Sequence, residues 1–183
     1  MKKVVLILLS VITLATAAMA QRRENEMWFK HAIGFRYELL HAGMCGASYE
    51  RFWTRHNSWE VMGGWYFAEG VEFAGFYKYT STFPGLSPQF RWYIGGGAHV
   101  ASWFNAKPED YAPFVFGIDA IAGVGFVFYK VPLGISIDWR PQIDLFTKAP
   151  KKVNDWGQRF NPEKLGITFR YVMKFRTFNN NVF

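Results

Sequence analysis

Residues 114–146 read FVFGIDAIAGVGFVFYKVPLGISIDWRPQIDLF, and the alternation within them decides the fold. Taken in twos, Phe114, Phe116, Ile118, Ala120, Ala122, Val124, Phe126 and Phe128 share one face. The other face carries Gly117, Asp119, Gly123 and Gly125, with Val115, Ile121 and Val127 among them. After Lys130-Val131-Pro132 the pattern resumes, with Leu133, Ile135, Ile137 and Trp139 alternating with Gly134, Ser136, Asp138 and Arg140. Successive side chains of a strand point to opposite faces, so this is a long antiparallel hairpin with one apolar side. That side is bulky and continuous, whereas the other is small or charged. A soluble barrel packs its bulk inside. This hairpin turns bulk outward and polar groups inward, the arrangement of a transmembrane β-barrel.

Working outward, the same period marks strands over 29–37, 44–53, 58–67, 71–79, 90–103 and 165–175. The outward rows are Phe29, His31, Ile33, Phe35 and Tyr37 in the first and Leu165, Ile167, Phe169, Tyr171, Met173 and Phe175 in the last. The second strand has the weakest pattern, because Glu50 and Arg51 interrupt it. With the hairpin, the expected fold is all-β: an eight-stranded antiparallel up-and-down transmembrane β-barrel. An even strand number puts both termini on one side, expected to be the periplasm. Connections 38–43, 68–70, 104–113 and 147–164 then face outward, and 54–57, 80–89 and 129–131 face the periplasm. Longer outer loops and shorter inner turns suit such barrels, although 80–89 breaks the rule.

The start of the chain agrees. Lys2 and Lys3 precede an apolar run from Val4 to about Leu14, then small residues ending Ala18-Met19-Ala20 before Gln21. That order reads as a secretory signal peptide over residues 1–20, cleaved to leave one domain over 21–183. The apolar run is short for a helix spanning a hydrocarbon core of ~30 Å. The rest lacks the roughly 18 continuous apolar residues of a membrane helix, so a membrane location requires strands. Aromatic residues make up 20% of the chain, as 19 Phe, 9 Tyr and 8 Trp. Membrane barrels use such residues at both interfaces. The formal net charge of +7 becomes +5 once Lys2 and Lys3 leave with the leader. Cys45 is the single cysteine and cannot form an intrachain disulfide.

The segments Arg91-Trp92-Tyr93-Ile94-Gly95-Gly96-Gly97-Ala98-His99, Gly117-Ile118-Asp119-Ala120 and Pro132-Leu133-Gly134-Ile135-Ser136-Ile137-Asp138-Trp139-Arg140-Pro141 carry a resemblance. They resemble a family of small Gram-negative outer-membrane β-barrel proteins that read through "GIDGxxG…IPLxxSLDWKP". Lys164, Gly166, Phe169 and Tyr171 are similar to the barrel-assembly signal of such proteins, polar-x-Gly-x-x-aromatic-x-aromatic. The resemblance implies an eight-stranded outer-membrane barrel, with the barrel-assembly machinery as its partner during biogenesis. It implies no reaction.

Alternation sends Arg36, Glu60, Glu72, Lys78, Arg91, Asp119, Asp138, Arg140 and Arg170 into the lumen. An eight-stranded barrel has an interior just wide enough for side chains, and buried charges persist only when paired. The expectation is a closed, salt-bridged lumen, with Asp119 and Asp138 each in reach of Arg91, Arg140 or Arg170. A proton or ion path is the competing reading. His99 with Ser102 is the best candidate for a lipid A acyl hydrolase, but a spacing of three puts the two on opposite faces. Gly123-Val124-Gly125 lacks the third glycine and the helix of a dinucleotide site, and no Cys/His cluster has zinc-like spacing. No cofactor, metal or nucleic acid is expected. Lys148, Lys151, Lys152 and Arg159, in the longest outer loop, are candidates for contacts to lipopolysaccharide phosphates. The functional expectation is a non-enzymatic outer-membrane protein with a structural or adhesive role through its outer loops. The alternatives are a lipid-modifying enzyme and a soluble lipocalin-like periplasmic carrier.

Overall fold

A computed structural model describes residues 27–39, 43–67, 70–83, 85–104, 114–128, 130–147, 160–162 and 164–177. The leader over 1–20 and the loop residues Lys148, Lys151, Lys152 and Arg159 lie outside the described residues. Within them run β1 (Met27–Glu38), β2 (Met44–Phe52), β3 (Asn57–Tyr66), β4 (Gly70–Thr82), β5 (Phe90–Trp103) and β6 (Phe114–Val127). Four more follow: β7 (Leu133–Trp139), β8 (Gln142–Thr147), β9 (Phe160–Asn161) and β10 (Leu165–Thr177).

Neighbours from β1 to β6 pair in chain order, all antiparallel. β6 then pairs with β7 along one half and with β8 along the other, so β7 and β8 are two pieces of one stave. β10 pairs with β7 and with β1, while β9 continues the same stave beside β8. Ten strands thus close into an eight-stave, antiparallel, all-β barrel of the transmembrane type. Closure through the β5–β6 pairing gives the backbone groups along these ladders partners without water.

The break in the seventh stave follows from Pro141, which has no N–H to give. Pairing is nevertheless continuous across it: Ala122 faces Trp139 and Asp119 faces Gln142. The Pro141 carbonyl accepts from the Ala120 N–H at 3.1 Å. In the eighth stave, Trp139 faces Leu165 while Gln142 faces Asn161, so three steps on one strand oppose four on the other. Lys164 keeps the inward phase of Gly166, Thr168 and Arg170, so its side chain enters the lumen, where it is buried. The expected loop over 147–164 therefore contains the short strand β9 and a lumenal lysine.

Burial alternates along the staves as the sequence predicts. Ile33, Phe35, Val61, Phe73, Ile94, Ile118, Ile137 and Phe169 are exposed on the outer wall. Their neighbours Arg36, Glu60, Glu72, Asp119, Asp138 and Arg170 are buried. Three expectations need correction. Glu50 and Arg51 do not interrupt the second strand: Glu50 is buried and Arg51 exposed, in phase with the rest. Glu38 belongs to β1 rather than to a loop, and it is buried. Phe29 does not join the outward row. It lies beyond the last β1–β2 pair, is buried, and meets the Phe52 ring edge-on at 4.9 Å in a cluster with Ala32 and Val172. Still opposite Phe175 of β10 but past the end of the β1–β2 ladder, this ring caps the barrel at the end where Met27 faces Thr177, called the base below.

Candidate functional site in the barrel lumen

Among the described residues, inward positions supply six buried cations, Arg36, Lys78, Arg91, Arg140, Lys164 and Arg170, and six buried carboxylates, Glu38, Glu50, Glu60, Glu72, Asp119 and Asp138. Equal numbers let every charge be compensated without counter-ions, the condition for holding ions away from water. The pairs stack in tiers along the axis.

Nearest the base, Lys78 on β4 lies 2.7 Å from both Glu50 and Glu60. Arg170 on β10 faces the same two carboxylates, 3.0 Å from Glu60 and 3.5 Å from Glu50, and donates to the Ser136 hydroxyl. Ser58 donates to Glu50 at 2.8 Å. Two cations and two carboxylates thus close a neutral quartet. The Arg91 guanidinium lies over the Phe29 ring, 5.3 Å from its centroid.

In the next tier Arg36 grips Asp138 with both Nη atoms, at 2.9 and 2.6 Å. Two parallel charge-assisted bonds fix a guanidinium in plane and place. The Tyr93 hydroxyl donates to the same carboxylate at 2.7 Å. The expected partners of Asp138 were Arg91, Arg140 or Arg170. Its partner is Arg36, because β10 alone separates β1 from β7 and carries Gly166 beneath the pair. A Cβ built at Gly166 would stand 2.2 Å from Arg36 Nη2. The glycine of the assembly-signal pattern therefore also leaves room for the guanidinium.

Above it, Glu72 on β4 accepts from Arg140 at 2.5 Å, Lys164 at 2.8 Å and the Tyr66 hydroxyl at 2.5 Å. Arg140 also lies 3.0 Å from Glu38 and 3.9 Å from Asp119. Gln142 bridges Glu72 and Asp119 at 3.2 and 3.3 Å. The chief partner of Asp119 is His99, whose Nδ1 is 2.5 Å away, while the other ring nitrogen meets Asp144 at 3.1 Å.

This last contact bears on catalysis. A general base must have a nitrogen free to take a proton from its nucleophile. Both nitrogens of His99 are engaged by carboxylates, and Ser102 stands on the opposite face of β5. Among the described residues, no group of His, Cys, Asp and Glu is arranged to hold a metal ion. A cavity of about 40 Å³ remains toward the base, beside Phe52, Lys78, Arg91 and Arg170. That is room for a few water molecules.

All nine lumenal residues expected from alternation are buried. Glu38, Glu50 and Lys164 were missed, each through a misplaced strand end or a polar neighbour. Extending the period through those residues would have found them.

The chain matches no protein-family model and no curated protein. Its structure is similar to the crystal structure of the N-terminal β-barrel domain of Pseudomonas aeruginosa OprF, with a TM-score of 0.57 and 14% identity. The match covers 80% of this chain and 99% of that one. At that identity the likeness is one of fold: an outer-membrane-type, eight-stranded β-barrel.

Proposed function

We propose that this chain is an integral protein of the outer membrane, exported by its leader, with a lumen closed to ions. It acts without catalysis, in a structural or adhesive role, through the connections at the end opposite the base. The carrying observation is Glu72, which meets Arg140 and Lys164 from across the barrel. Outer-membrane lipid covers the apolar wall, and Lys148, Lys151, Lys152 and Arg159 contact lipopolysaccharide phosphates. The assembly machinery reads Lys164, Gly166, Phe169 and Tyr171 before the barrel closes. Support for a non-enzymatic role comes from the double engagement of His99.

Fractionation tests the location. The chain is expected in the detergent-extracted outer-membrane fraction, migrating faster on SDS gels before boiling than after. Recovery in the soluble periplasmic fraction, with mobility unchanged by heat, would favour the lipocalin-like carrier instead.

A further inference from the structure

All seven acidic residues among the described residues lie in the lumen: Glu38, Glu50, Glu60, Glu72, Asp119, Asp138 and Asp144. The described outer wall therefore presents no carboxylate to a cation. Arg51 is nevertheless exposed on that wall, one residue from the base end of β2. It faces His31 on β1 and Trp59 on β3 across the two ladders. Just above it, His31 Nδ1 meets the Tyr49 hydroxyl at 2.7 Å, and the Tyr49 ring packs edge-on against Trp59 at 5.4 Å. Trp53 follows at the stave end, exposed. A guanidinium thus projects from an ordered aromatic bed where the apolar wall gives way to the base turn.

We infer that Arg51, on the bed of His31, Tyr49 and Trp59, binds the phosphate of an anionic phospholipid in the leaflet at the base. The inference rests on the reading of this barrel as a membrane protein. An arginine on a lipid-facing wall extends toward the interface, and the anion waiting there is a headgroup phosphate. Guanidinium presents paired donors that suit phosphate oxygens. Aromatic rings hold the adjoining glycerol level, as tryptophan and tyrosine do at membrane interfaces. A net-negative lipid is preferred over a zwitterionic one, because the described outer wall supplies no carboxylate to compete for Arg51.

Nanodiscs of equal phosphatidylglycerol and phosphatidylethanolamine, loaded with the refolded chain and released for native mass spectrometry, test this. The retained lipid is expected to be enriched in phosphatidylglycerol by about fivefold, the order expected of one arginine at an anionic surface. Arg51→Gln should return the ratio to that of the bilayer, and Arg51→Lys should keep part of the enrichment. An Arg51→Gln barrel that shows the normal heat-shifted mobility and retains the wild-type ratio would overturn the inference. Failure of the wild type to insert into either lipid would overturn the membrane reading and this inference with it.

Discussion

Lys164 and Glu72 stand on diametrically opposite staves, and their side chains meet 2.8 Å apart. One lysine and one glutamate suffice to cross the interior, so this barrel is narrow enough for its own side chains to fill. Arg140 reaches the other oxygen of the same carboxylate at 2.5 Å. The tier is a three-way junction whose loss strands two cations.

Removing that junction should be costly. Glu72→Ala leaves Arg140 and Lys164 buried with less compensation, and breaking a buried pair from one side costs about 3–5 kcal/mol. Urea unfolding of the barrel in lipid vesicles is expected to show a loss of that order. A change within experimental scatter would mean that Glu72 is not what holds the two cations.

The outer wall can be tested separately. Ile118→Arg places a charge on the lipid face and should lower stability by roughly 2–4 kcal/mol if the site lies near the midplane. Leu86→Arg, in the exposed connection between β4 and β5, should be nearly neutral. Equal effects at the two sites, read from the same unfolding assay, would contradict the inward and outward assignment.

Crowding explains the lumenal glycines. A Cβ at Gly123 would lie 2.6 Å from Asp138 Cβ and 2.6 Å from the Tyr93 ring, neither the free end of a flexible chain. Gly123→Ala should therefore destabilise by about 1–3 kcal/mol, the cost of overpacking. A Cβ at Gly75, on the outer wall, meets nothing within 4 Å. Gly75→Ala is expected to change stability by no more than about 0.5 kcal/mol. The reverse order of sensitivity in thermal melts would refute this reading.

Much of this was legible in the sequence because period two is a local property. Each stave announces its own faces, so Ile118 out and Asp119 in need no knowledge of the rest. Partner choice is not local. Asp138 pairs with Arg36 across 102 positions of sequence, through a register set by ring closure. Alternation alone offered Arg91, Arg140 and Arg170 as equals. Strand ends were also hidden. Phe29 turns inward past the last β1–β2 pair, and Lys164 extends the inward row of Gly166, Thr168 and Arg170 one step into a stretch that reads as loop. Glu50 and Arg51 looked like a break because a charged outward residue contradicts an apolar row. At the membrane interface such a residue is tolerated, and the alternation runs through it unbroken.

The closed lumen is the central claim, and planar-bilayer recording of the purified wild-type barrel tests it most directly. With Glu72 bridging the interior to Arg140 and Lys164, and Phe29 with Phe52 capping the base, the membrane should stay at baseline conductance. Asp119→Ala should stay silent too, since Arg140 still fills the space. Steady, reproducible ion-conducting steps from the wild-type protein would contradict the account and make the lumen an open path.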